Sequence, residues 1–167
     1  MNQDIRRTAK YFFLRFKRLR GTPHSLALGT AIGAAVAITP TLPLHTVMII
    51  SLTLLLRANT IAALIVGTII SNPLTFAIHY YAAWKVGDWI FPGRLTWNRL
   101  SELLQLIREK ELIDGLKTLS HLSMDAILVM MAGGGILALV FALAIYFPAH
   151  WLFSTIQEKR RQKHLLG

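Results

Sequence analysis

There is no cysteine anywhere in the chain, and acidic residues are scarce, with 8 Asp and Glu against 18 Lys and Arg in 167 residues. The first absence excludes a disulfide framework, a thiolate metal site and a cysteine nucleophile, and it leaves the redox compartment unreadable. The second absence sharpens once positions are read. No charged residue occurs from Gly21 to Leu56, from Ala58 to Trp84, or from Ala126 to Gln157. Apolar runs without a carboxylate argue against a carboxylate-driven cation pump. Also missing are a paired-carboxylate motif, a nucleophile elbow, a metal-spaced His cluster and a phosphate loop. No catalysis, no metal and no cofactor are therefore expected.

What is present is apolar: 54% hydrophobic residues, 16% charged and a mean hydropathy of +0.50, outside the usual range for soluble domains. Each of the three runs exceeds the roughly 20 apolar residues that a bilayer core requires. A soluble chain could bury one such run, but burying three would leave little amphipathic surface for water. The expectation is an integral membrane protein. A secretory signal competes for the first run, because a basic leader precedes it and Ala35-Val36-Ala37 offers a small-residue cleavage pattern. Against it, the leader is long and itself amphipathic, and further apolar runs follow.

Lys and Arg bias sets the expected orientation. Arg6, Arg7, Lys10, Arg15, Lys17, Arg18 and Arg20 face one acid, Asp4, in the N-terminal flank, and Lys159, Arg160, Arg161 and Lys163 face Glu158 in the C-terminal one. Between Lys85 and Asp125, six basic and six acidic residues cancel. Both termini are expected in the cytoplasm and the middle segment outside it. The pI near 10.6 carries no nucleic-acid signature, so anionic lipid headgroups are the expected counter-charge. From Ile5 to Leu19, Ile5, Ala9, Phe12, Phe16 and Leu19 recur at helical spacing, which predicts an in-plane amphipathic helix over residues 1–20. Arg15, Lys17, Arg18 and Arg20 are its candidate contacts to anionic lipid, although a plain topological anchor needs the same residues.

The first run has 36 residues and would reach about 54 Å as one straight helix, beyond the roughly 30 Å hydrocarbon core. Pro40 and Pro43 break it, leaving two pieces too short for full crossings. A re-entrant hairpin returning to the cytoplasmic face near Arg57 and Asn59 fits better than two complete spans. The second run is interrupted at Ser71-Asn72-Pro73 and suffices for one kinked crossing. Gly29-Thr30-Ala31-Ile32 loosely echoes Gly67-Thr68-Ile69-Ile70, each ahead of a break, as an internal repeat of broken helices would.

Three features carry a family resemblance: Arg20-Gly21-Thr22-Pro23-His24-Ser25 with Ala27-Leu28-Gly29, Thr39-Pro40 through Leu44-His45-Thr46, and Leu56-Arg57-Ala58-Asn59 leading into Ser71-Asn72-Pro73-Leu74-Thr75. Over about residues 18–90 the chain resembles the small bacterial membrane proteins of the domain of unknown function 2062 family. Members often carry glycine before the Leu-His-Thr step, where this chain has Pro43. The resemblance implies a multi-pass protein of the bacterial inner membrane, with some relatives joined to glycosyltransferase domains and no established activity.

The expected fold is therefore an all-α membrane protein: one re-entrant or broken helical hairpin, two further transmembrane helices and amphipathic interfacial helices. The family-like core covers residues 21–90, a non-cytoplasmic amphipathic segment 91–125, the last transmembrane helix 126–157 and a basic cytoplasmic tail 158–167. Leu100, Leu103, Leu104, Ile107 and Leu119 mark the apolar side of the middle segment, and Trp84, Trp89, Trp97 and Trp151 fit interfacial belts. Gly133-Gly134-Gly135 reads as close helix packing ahead of a hinge.

An interrupted helix inside a membrane leaves backbone groups that must line protein or a wet cavity, and transporters build anion sites that way. If Pro43 and Pro73 each open a second half-helix, Thr39, Thr41, His45, Ser71, Asn72 and Thr75 would surround an anionic group, with His79 further along. The plainer reading is that the prolines kink the spans and the hydroxyls cap freed carbonyls. Arg57 either snorkels or meets a lipid phosphate. Two activities follow from this: translocation of an anionic lipid or small anion, or a non-transporting scaffold for an envelope polysaccharide or lipid-linked glycosylation enzyme. The expected partners are anionic membrane lipids, a second copy of the chain and an envelope glycosyltransferase, with no nucleic acid.

Overall fold

The computed structural model describes residues 19–40, 44–98, 100–101 and 124–165, except the side chains of residues 73, 74 and 163–165. Among the described residues five helices are assigned: α1 (Pro23–Ile38), α2 (His45–Leu55), α3 (Thr60–Ile70), α4 (Pro73–Ile90) and α5 (Met124–Leu165). The amphipathic helix expected before residue 19, with Arg15, Lys17 and Arg18, lies outside the described residues, as do Thr41, Pro43 and most of the middle segment.

Local chemistry sets the boundaries. Thr22 accepts from the Ser25 amide and Pro23 fills the first helical position, which starts α1. Thr39, extended ahead of Pro40, ends it. α2 ends in a Schellman turn, with the Ala58 amide donating to the Thr53 carbonyl at 2.8 Å and the Arg57 amide to Leu54 at 3.3 Å. Arg57 thus occupies the left-handed position of that turn at φ 52°, where glycine is usual and a side chain costs about 1 kcal/mol. Asn59 caps α3 by accepting from the Ala62 amide at 2.9 Å.

α1 runs about 24 Å, and α2 and α3 about 16 Å each, from 16, 11 and 11 residues. The chain doubles back after α1, so that Ser25 Oγ donates to the Arg57 carbonyl at 3.4 Å and the Asn59 amide to the Ser25 carbonyl at 2.9 Å. α3 then runs parallel to α1. Gly29 meets Asn59, Gly33 meets Ala63, and Ser71 reaches Ala37. A Cβ on Gly33 would stand 2.2 Å from the Ala63 carbonyl oxygen, so these helices touch backbone to backbone through small residues.

α3 and α4 meet at 93° across Ser71-Asn72-Pro73. α5 lies antiparallel to α1 and α4, with Gly133 against the Ala83 carbonyl, Gly134 against Pro40, and Gln157 donating to the Gly21 carbonyl at the far end. Two of the three glycines are therefore closely packed, whereas Gly135 faces open space. The helix expected to end near Gln157 continues to Leu165 and passes through Pro148. The core is divided accordingly. Tyr80, Ala83, Leu95, Leu100, Ala126 and Val129 pack at the α4 end, while Leu26, Ala62 and Phe153 pack with Ile32, Ile49 and Ala63 nearby at the α1 end.

Among the described residues, α5 alone is long and apolar enough to cross a bilayer, and α3 with α4 qualifies only as one bent unit. A core helix of a soluble protein passes the same test when it is mostly buried, but only 28% of the apolar window of α5 is buried. Leu139, Leu143, Phe147 and Trp151 form an exposed stripe along it, spaced by four residues. The described fold is all-helical, with one clear candidate crossing and several shorter apolar helices.

Candidate functional site: the junction of two helix breaks

The carbonyls of the last turn of α1, of which Ala35 also accepts from the Thr39 amide at 3.2 Å, collect two side-chain donors. Thr39 Oγ1 donates to Ala35 at 3.1 Å and to Val36 at 2.8 Å. Ser71 Oγ donates to the Ala37 carbonyl at 3.3 Å and stands 3.5 Å from His45 Nε2. Residues on both sides of the first break and at the second thus share one polar junction. Gly67 makes room for it: a Cβ there would sit 2.7 Å from Ile49 Cδ1 and 3.4 Å from His45 Nε2.

The second break is built differently. Asn72 Oδ1 accepts from the Thr75 amide at 3.2 Å and Thr75 Oγ1 accepts from the Asn72 amide at 3.3 Å, a reciprocal cap on the first turn of α4. Thr75 Oγ1 also donates to the Ile70 and Asn72 carbonyls. α2, by contrast, starts at Leu44, whose own side chain makes no cap hydrogen bond.

The residues singled out from sequence separate into two groups. Thr39, His45, Ser71, Asn72 and Thr75 gather at the breaks, and half-buried His79 lies one turn along α4 from Thr75. Arg57 is at the opposite end of α2, beside Arg20, whose carbonyl accepts from Asn59 Nδ2 at 3.0 Å. Thr41 lies outside the described residues. Long-range partners escaped the sequence reading: the Ala37 carbonyl, which accepts from Ser71, and Tyr146, whose hydroxyl is 2.8 Å from His24 Nδ1. No local pattern carries those contacts, because they form between helices far apart in the chain.

Charge also segregates by end. Arg20, Arg57, Lys159, Arg160 and Arg161 mark the end where Gln157 meets Gly21, whereas Lys85, Asp88, Arg94 and Asp125 balance at the other, with an Arg94–Asp125 pair at 3.5 Å. There Trp84 Nε1 donates to the Leu95 carbonyl at 2.8 Å and its ring packs on Trp97, leaving Trp89 exposed.

These features define a class: an all-helical protein, compatible with membrane association, in which two interrupted helices meet at a polar junction. Residues 6–162 match the family described as "Uncharacterized protein conserved in bacteria (DUF2062)", and the chain belongs to that family. The match covers nearly the whole chain, extending the resemblance read from residues 18–90. No curated protein and no solved structure gives a significant match.

Proposed function

We propose that this is a multi-pass protein of the bacterial inner membrane that passes an anionic lipid headgroup or small anion through the junction of its broken helices. The observation that carries the reading is the meeting of the two breaks, with His45 Nε2 3.5 Å from Ser71 Oγ. Both hydrogen bonds of the Ser71 hydroxyl, at 3.3 and 3.5 Å, are long and weak. An anionic oxygen would offer shorter, charge-assisted ones. In this reading α1 and α2 form a re-entrant hairpin, α3 with α4 makes a bent crossing and α5 a straight one, with both termini cytoplasmic. The concentration of basic residues at one end supports that orientation. So few helices enclose no path alone, so the working unit is a homo-oligomer.

A second reading, the non-transporting scaffold for an envelope glycosylation enzyme, is favoured by one observation. Among the described residues no buried side-chain polar atom lacks a hydrogen-bond partner. Proteoliposomes separate the two, using a fluorescent anionic phospholipid and a small-anion indicator. On the transport reading His45→Ala lowers flux of one of them about tenfold at unchanged abundance, the effect of about 1.4 kcal/mol at the barrier. Flux absent in the wild type, or equal in the variant, moves the reading to the scaffold.

A further inference from the structure

The turn joining α2 to α3 places its largest cation where glycine would be cheapest. Arg57 is the described non-glycine residue with positive φ, at the left-handed position of the Schellman turn, and its side chain is exposed. Its surroundings hold the turn rigidly. Ser25 Oγ fixes the Arg57 carbonyl, and Asn59, two residues on, is bonded to the Ser25 carbonyl and to that of Arg20. Two guanidinium-bearing segments are thereby held side by side. Among the described residues no carboxylate pairs with Arg20 or Arg57.

Directly below this cationic tip the surface is apolar. Leu54, Leu55 and Leu56 are exposed by 69%, 78% and 49%, and Val47 and Ile50 continue the exposed face of α2 back toward His45. A cationic head position above an apolar track matches an amphiphile with an anionic head and acyl chains; a free phosphate would use the arginines and leave the track bare. We infer that Arg57 and Arg20 form a headgroup site for an anionic phospholipid, its chains lying along Leu54, Ile50 and Val47. The site needs only that this end lie at a membrane surface, the part of the reading above on which it rests; it does not require transport.

Arg57→Gly tests it cleanly, since glycine suits the turn and the fold is retained. The full chain in neutral detergent is titrated with phosphatidylglycerol, phosphatidylcholine and glycerol phosphate, and bound lipid is read by native mass spectrometry. Phosphatidylglycerol binds the wild type about tenfold more tightly than phosphatidylcholine, and Arg57→Gly loses that preference while melting no lower than the wild type. Arg57→Lys keeps part of it, and Leu54→Ser weakens phosphatidylglycerol alone. Equal binding of phosphatidylglycerol by wild type and Arg57→Gly overturns the site, and so does a wild type without preference. Glycerol phosphate binding as tightly as phosphatidylglycerol, with Leu54→Ser silent, overturns the lipid and leaves a free-phosphate site. Failure of the transport reading is seen in the flux of His45→Ala proteoliposomes, and failure of this one in the lipid preference of Arg57→Gly.

Discussion

The two proline breaks solve one problem in opposite ways. At Thr39-Pro40 the freed carbonyls of α1 rely partly on a group distant in sequence: Ser71, standing beside His45, reaches Ala37 from 34 residues away. At Asn72-Pro73 the cap is local, made by Asn72 and Thr75 within a single turn. A local cap forms as soon as its helix does, whereas the first break is satisfied only when α1, α2 and α3 are assembled. The first should therefore respond to anything that parts the helices and the second should not.

The strongest way to break this contrast is Gly33→Leu. Its Cβ would stand 2.2 Å from the Ala63 carbonyl oxygen, an atom of the backbone that cannot turn aside. α1 must move off α3, at an expected cost of about 3 kcal/mol or more in detergent unfolding. A cysteine placed at Ser71 should then gain reactivity, while one at Asn72 keeps its own. Equal gains at both positions would show that the second break also depends on the α1–α3 contact.

Ser71→Ala comes next, expected to cost about 1–2 kcal/mol because the Ala37 carbonyl loses its donor and His45 a neighbour. Combined with His45→Ala it should be non-additive by at least about 0.5 kcal/mol, as for any two residues in one network. Asn72→Ala should cost about 1 kcal/mol, the usual loss of an N-cap, and should add to His45→Ala without coupling. Coupling of Asn72 with His45 would merge the two breaks into one network and end the distinction.

Much of this was legible in the sequence for a physical reason. Thr22, Asn59 and Asn72 are caps whose partners lie three residues on, and a proline after Thr39 or Asn72 marks a boundary within the same short window. Placing Thr39, His45, Ser71, Asn72 and Thr75 at the breaks needed only that window. That Ser71 would bond Ala37 needed the parallel pairing of α1 with α3, which is set by backbone contact at Gly29 and Gly33. The echo of Gly29 in Gly67 misses this register, since Gly29 meets Asn59 and Gly67 lies near Gly33. Pro148 was likewise unreadable as a continuation. It follows Tyr146-Phe147 and no capping residue, and the extended contact of α5 with α1 keeps the helix going past it to Leu165.

The continuous helix sharpens the comparison at its smallest scale, through three adjacent glycines in different surroundings. Gly133 and Gly134 would drive a Cβ into the Ala83 carbonyl and Pro40, so alanine at either should destabilise. Gly135 meets nothing within 4 Å, so alanine there should gain about 0.5–1 kcal/mol from helix propensity alone. Unfolding in detergent reads the sign. A gain in stability with unchanged flux assigns Gly135 to neither packing nor motion. A gain accompanied by lost flux would mean that α5 bends there during function, beside Pro40, making the uninterrupted helix the moving part of the first break. A loss of stability would place an unseen neighbour, such as a second copy of the chain, against that open face.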